Sequence, residues 1–282
     1  MNIHATLLLM VLGAYTTAPV LGATLKVHSN HSDKSAASTK VLMLQDLQRI
    51  TPVTKLKVFE PHEQKEVTYK GFAANPLLDK FFGKDWQKSD EVLFTCADGY
   101  QASVPVSYFQ KHRGFLVYER PGSEFKVTNT LQGNEVVPLG PFYLVWDNLK
   151  TPELRNSHGT HWPYQVTEVS LIEFSETFAQ MIPPKPSKNV KSGFALFKTH
   201  CMTCHTINGD GGDKSVELNY PVSVTEYMKP EWLVKWIDDP PAIRYNSRMP
   251  RLNPNMPHRQ EAIKDIVAYL KAMASHKQQP KP

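Results

Sequence analysis

In this 282-residue chain, the stretch Cys201-Met202-Thr203-Cys204-His205 holds the residue types and spacing that can do chemistry. Two cysteines separated by two residues, with a histidine directly after, is the spacing of c-type haem attachment. Each part has a chemical reason. The thiols of Cys201 and Cys204 add across the vinyl groups of haem to form thioethers. On a helical turn their separation sets both sulfurs against one edge of the porphyrin. His205 follows at once, so its imidazole reaches the iron from one face. The alternatives are a thioredoxin-like dithiol and half of a zinc site. A zinc site needs a second pair of ligands, and the only other cysteine is Cys96. A thioredoxin motif follows a strand in a βαβ unit, and no such pattern precedes Cys201. The expectation is one covalent haem c per chain.

Iron held by His205 needs a ligand on its other face. A thioether is a neutral, soft donor that favours ferrous iron and raises the potential. Arg248-Met249-Pro250-Arg251-Leu252 lies in a loop, with Pro250 fixing the backbone after the sulfur. Met249 follows His205 at a chain separation that lets the loop wrap to the opposite face, so it is the expected distal ligand. Met256 is the runner-up. Met228 and Met202 read as surface or core. His258, or an open sixth position, are the remaining alternatives.

The elements that position these residues are helical. Val190, Phe194, Phe197, Cys201 and Cys204 recur at spacings of three and four, which predicts an amphipathic helix ending at the haem motif. Gly209 to Gly212 and Asp213 form a loop. Pro230 opens a short helix over 230–238, faced by Leu233, Trp236 and Ile237 and stopped by Asp239-Pro240-Pro241. A last helix over 258–275 carries the stripe Ile263, Ile266, Val267, Leu270 and Met273. This order of helix, CxxCH, glycine loop, short helix, Met-Pro and terminal helix resembles the class I monohaem cytochromes c. The resemblance covers residues 188–276, followed by a tail at 277–282. It implies an all-α domain with covalent haem on Cys201 and Cys204, His205 as proximal ligand and Met249 as distal ligand.

Residues 41–182 have a different texture. Apolar runs at 56–59, 67–72, 91–95, 101–106, 114–118 and 142–146, and an alternating run at 166–174, predict strands. Gly99, Pro121-Gly122, Gly133-Asn134 and Gly140-Pro141 punctuate them. Leu77, Leu78, Phe81 and Phe82 share one face of a helix over 76–82. These elements predict an α+β domain with a mixed or mostly antiparallel sheet, so the chain reads as two domains. Asp98 and Tyr100 flank a tight turn and read as turn capping and a packed ring. His158, His161 and Trp162 share a polar loop, and the two histidines read as hydrogen-bonded rather than metal-binding. The three prolines in Pro183-Pro184-Lys185-Pro186-Ser187 mark an interdomain linker.

Part of this domain also resembles the C-terminal half of the molybdopterin domain of the sulfite oxidase superfamily. The resemblance rests on Val67-Thr68-Tyr69-Lys70-Gly71-Phe72, Leu77-Leu78-Asp79, Ala97-Asp98-Gly99-Tyr100, Ser103-Val104-Pro105, Leu139 to Val145, and Tyr164-Gln165-Val166. In that family the molybdenum-ligating cysteine lies upstream, and here residues 41–68 contain none. The pterin-binding half is missing as well. The resemblance therefore implies a fold fragment without the molybdenum site. Cys96 reads as a buried inert thiol or, failing that, as a reactive group.

The N-terminal end reads as an export signal over 1–23. Its apolar core is Leu7-Leu8-Leu9-Met10-Val11-Leu12, with small residues for cleavage near Gly22-Ala23. Only His4 stands where a basic residue is expected. An uncleaved segment would anchor the chain in a membrane. Residues 24–40, rich in Ser, His and Lys, read as a flexible leader. Export implies a bacterial periplasmic location, where haem c is attached. The net charge of +5, without a dense basic run, gives no case for nucleic acid. The leading expectation is an electron-transfer protein whose first domain docks redox partners. Lys198, Lys214, Arg248 and Arg251 flank the haem-contacting segments and are expected to steer an acidic partner. The alternative is an oxidoreductase whose N-terminal domain has its own active site and passes electrons to the haem.

Overall fold

The computed structural model describes residues 22–29 and 38–281. The export-signal expectation falls almost entirely outside these residues. Two units are present, a sheet-rich one and a helical one.

The first unit is built on a nine-stranded sheet. Its strands are β1 (Thr24–Ser29), β2 (Ser38–Met43), β3 (Thr54–Glu60), β4 (Lys65–Ala73), β5 (Glu91–Cys96), β6 (Gln101–Pro105), β7 (Gly114–Glu119), β10 (Phe142–Trp146) and β11 (Tyr164–Ile172); β8 (Lys126–Asn129) and β9 (Glu135–Pro138) form a separate ribbon. The path β2-β1-β11-β10-β7-β4-β3 is joined at β11 by the β5–β6 pair. The sheet is mixed because β1 runs parallel to β11 while the other pairs are antiparallel. Helices α1 (Leu44–Ile50), α2 (Ala74–Phe82) and α3 (Val106–Lys111) pack against it, and α4 (Pro152–Arg155) lies in the loop before β11. Helix α2 buries Leu77, Leu78 and Phe81, the face expected from their spacing.

One expectation is corrected here. Residues 24–40 are not a flexible leader along their described part. Leu25 and Val27 are fully buried in the core, alternating with exposed Thr24 and Lys26. The alternation lets this strand put one face on the core, and β11 and β2 satisfy its backbone on both edges.

The second unit holds α5 (Phe174–Thr177), α6 (Lys188–His200), α7 (Val224–Tyr227), α8 (Pro230–Asp238), α9 (Pro240–Ile243) and α10 (Arg259–Ala274). Its centre is the crossing of α6 and α10. Gly193 makes that crossing possible, because a Cβ there would lie 1.9 Å from the Asp265 carbonyl oxygen. Phe197 and Phe194 then meet Tyr269 at centroid distances of 5.0 and 5.5 Å. The Tyr269 hydroxyl donates to the Met181 carbonyl at 2.7 Å. Phe174, Phe178 and Met181, which precede the proline linker, are buried in this helical core together with Leu93 and Ile172 of the sheet. The two units are thus packed together through an apolar seam.

Candidate haem site

Cys201 closes helix α6, its N–H donating to the Phe197 carbonyl at 2.8 Å. The N–H groups of Cys204 and His205 both turn back to the Cys201 carbonyl, at 3.1 and 3.0 Å. The motif is therefore one helical turn with both cysteines on it, as the spacing requires. Both thiols are free. Burial pushes Cys201 up to about 12 and raises Cys204 as well. A working redox dithiol needs a lowered thiol pKa, so these surroundings do not suit the thioredoxin-like alternative.

The His205 ring is oriented by the chain itself. Its Nδ1–H donates to the Val216 carbonyl at 2.8 Å, which leaves the Nε2 lone pair free to bind a metal. Burial pulls its pKa down, keeping the imidazole neutral. Glu217 fixes the loop that presents Val216. Its carboxylate accepts from the backbone N–H groups of Asn208, Gly209, Asn219 and Tyr220 at 2.7 to 3.0 Å. Burial pushes the Glu217 carboxyl up, but these donors outweigh it and hold it below its ordinary value. Nothing in the residue order points to Glu217, because most of its partners are backbone groups.

Cys201, Cys204 and His205 open onto a cleft of about 1000 Å³. Met249 lines the same cleft, and Met256 does not. Met256 instead packs against the helical core, as does Met228, and Met202 is fully buried there. The other wall belongs to the sheet unit: His62, Tyr100, Gln132, His158, Trp162 and Tyr164 all line it. Sequence reasoning had not brought this wall to the haem motif.

The walls meet around the Gly99 turn. The Gln101 N–H donates to the Thr203 carbonyl at 2.9 Å, and the Asp213 N–H to the Gly99 carbonyl at 3.1 Å. Gly212 lies against the same turn. A Cβ at Gly212 would be 2.1 Å from the Thr203 carbonyl oxygen and 3.1 Å from the Gln101 nitrogen, so this position admits no side chain. Asp98 caps the turn through the Tyr100 N–H at 3.1 Å and pairs with Lys214 at 2.6 Å. The turn-capping reading of Asp98 is correct but incomplete, since the same carboxylate ties the units together.

Each of the four expected steering cations has an acidic partner within the chain. Lys198 pairs with buried Glu91, Lys214 with Asp98 and Arg248 with Glu135, all acidic residues of the sheet unit. Arg251 pairs with Asp239 of its own unit. The acidic groups facing the first three cations therefore lie within the chain.

Beneath the sheet wall lies a polar network. Glu60 is fully buried, and its carboxylate accepts from the Tyr69 hydroxyl at 2.7 Å and the Tyr143 hydroxyl at 3.1 Å. His62 Nδ1 lies 2.8 Å from the same carboxylate. Burial pushes the Glu60 carboxyl up, but His62 and Tyr69 together hold it below its ordinary value of 4.5. His161 packs edge-on against Tyr108 at 5.0 Å, and burial lowers its pKa to about 4. His158 Nε2 lies 3.4 Å from the Asn255 amide. The two histidines thus sit in separate packed and hydrogen-bonded settings. Cys96 is buried in the sheet core, with its thiol raised by burial first and Asp98 second.

Residues 190–274 match the cytochrome c family model. This supports a C-terminal cytochrome c domain. It also supports a covalently bound haem c and a haem-based electron-transfer role for that domain. The match covers α6 from residue 190, the cysteine turn, Met249 and α10. No curated protein matches the chain. The residues present fit the group: two thiols on one turn, a neutral imidazole with Nε2 free, and a cleft within the size range of cofactor pockets.

Proposed function

We propose that this chain is an exported monohaem cytochrome that moves single electrons, with its haem set in a cleft between two units. The observation that carries the reading is that Cys201, Cys204, His205 and Met249 line one cleft. Cys201 and Cys204 would hold the haem through thioethers, and His205 Nε2 and the Met249 sulfur would hold its iron. When bound, the haem supplies a one-electron couple. The Val216 carbonyl holds the His205 ring in one tautomer and orientation. The thioether of Met249 raises the potential relative to a second imidazole. With His205 and Met249 both holding the iron, the group would supply electron transfer rather than a site for substrate.

The sheet unit serves the haem in this reading. It walls the cleft, and a haem shielded from water has a higher potential. It carries no molybdopterin, and the buried, raised thiol of Cys96 supports an inert role. The chain works in the bacterial periplasm with other redox proteins and without nucleic acid. Membrane attachment would require the N-terminal segment to stay uncleaved.

The test is haem staining of the purified protein on a denaturing gel. Colour that survives boiling in detergent in wild type and is lost when both Cys201 and Cys204 are changed to Ser is the expected result. Colour that washes out of wild type would overturn the assignment.

A further inference from the structure

The segment that carries Met249 joins α9 to α10, and its own unit ties its backbone only on either side of the methionine. The Ser247 N–H donates to the Arg244 carbonyl at 3.1 Å, and the Leu252 N–H to the Ile237 carbonyl at 3.4 Å. The Leu252 carbonyl accepts from Arg259 Nε at 3.0 Å. Among the described residues, one backbone group of 248–251 is hydrogen-bonded to the chain, the carbonyl of Arg248, next to Met249. Its donor comes from the sheet unit: Gln132 Nε2, at 3.0 Å. Gln132 lies in the turn between β8 and β9, and its amide is oriented from behind. Asn129 Nδ2 donates to Gln132 Oε1 at 2.9 Å, while Asn129 Oδ1 accepts from the Leu131 N–H at 3.1 Å. Asn129 is buried, so both of its polar groups are committed to this turn. With Gln132 Oε1 taken, its nitrogen is the group left for the Arg248 carbonyl.

Two weaker contacts run the same way. Arg248 faces Glu135 at 3.6 Å, and Asn253 Nδ2 donates to the Asn156 carbonyl at 3.3 Å. The first is an exposed pair and contributes little by itself. Asn129, Gln132, Arg248 and Met249 all line the one cleft. We propose that Gln132 of the sheet unit is a positioning residue for Met249, holding the distal-ligand loop through the Arg248 carbonyl. This rests on the Met249 reading above and deepens it, because it gives the sheet unit a part in iron ligation. A thioether is a soft donor and holds the harder ferric iron weakly. A ligand of that kind depends on how it is presented, so a partner that orders its loop beforehand strengthens its hold on the metal. One hydrogen bond to the residue before the sulfur does this without touching the iron.

The test uses the full chain with its haem attached, and imidazole, which competes with Met249 for ferric iron. Titrations followed by loss of the near-infrared methionine–iron band give the imidazole affinity in wild type and in Gln132→Leu. Leucine keeps much of the bulk and removes the donor. Loss of one hydrogen bond that favours the methionine-bound form should let imidazole bind about fivefold more tightly. Gln132→Glu, whose ionised carboxylate can only accept, should shift the affinity in the same direction, and it decides alone if Gln132→Leu does not accumulate. A glutamine that serves only its own turn would lower the melting temperature of these variants and leave the imidazole affinity at the wild-type value. That result would overturn the inference and leave Met249 ligation standing. A wild type without the band, in protein whose colour survives a denaturing gel, would sink the Met249 reading and this inference with it.

Discussion

The two walls of the cleft are held in different ways. On the helical side, the chemistry-bearing residues sit on turns pinned by the backbone: Cys204 and His205 to Cys201, Ser215 to Cys204, and the His205 ring to Val216. On the sheet side, the wall rests on side chains, with Glu60, His62, Tyr69 and Tyr143 hydrogen-bonded beneath Trp162 and Tyr164. The difference shows where each wall is vulnerable. A backbone-pinned turn fails when an added atom displaces it, whereas a buried charge network fails when its charge is removed.

Gly212→Val should break the helical wall. Its Cβ would fall on the Thr203 carbonyl, so the turn and the strand start at Gln101 must separate. Overpacking of this kind costs about 3 kcal/mol. Thermal melts should show a large drop in melting temperature, with easier proteolysis between the units.

Glu60→Gln should break the sheet wall in a pH-dependent way. The folded-state pKa of Glu60 is lowered, so its stabilisation is full above the ordinary value of 4.5 and is lost as pH falls through the folded value. At neutral pH the variant should be less stable by about 2 kcal/mol. Denaturant titrations across pH should show the two proteins converging at the acid end. A constant gap down to the most acid point would mean that Glu60 charge is not what the network uses.

The seam between the walls sharpens the comparison on a smaller scale. Lys198 is three-quarters covered and its partner Glu91 is buried, whereas Arg248 is 83% exposed and 3.6 Å from Glu135. Lys198→Met leaves a buried carboxylate without its cation and should cost about 2 kcal/mol, discounted for the remaining exposure of the lysine. Arg248→Ala should change stability by less than about 0.5 kcal/mol. Equal losses from the two would mean that burial does not govern these pairs.

Much of each unit was readable along the chain because the signals are local. Pro230 at a first turn with Leu233 and Ile237 behind it marked α8 to its ends. The apolar runs at 91–95 and 142–146 are buried strands. Strand β1 was missed because its alternation spans only a few residues within a Ser-, His- and Lys-rich stretch. The β8–β9 ribbon was missed because its strands are short. The cysteine turn was legible from residue type and spacing. The cleft was not, since Gln101 with Thr203 and Asp98 with Lys214 are contacts between distant parts of the chain. Lys198, Lys214, Arg248 and Arg251 each pair with a carboxylate of the chain, and a formal charge count shows neither these pairs nor the exposure that Arg248 keeps. The burial of Trp162 is likewise set by distant contacts, its ring packing on Tyr143.

Met249 and Met256 are told apart by which sulfur reaches the iron. The near-infrared charge-transfer band of ferric protein reports a methionine–iron bond and should be read in wild type, Met249→Ala and Met256→Ala. The predicted result is a band present in wild type and Met256→Ala and absent from Met249→Ala, whose haem remains covalently attached and whose potential is lower. A band kept by Met249→Ala and lost in Met256→Ala would contradict the assignment of the cleft.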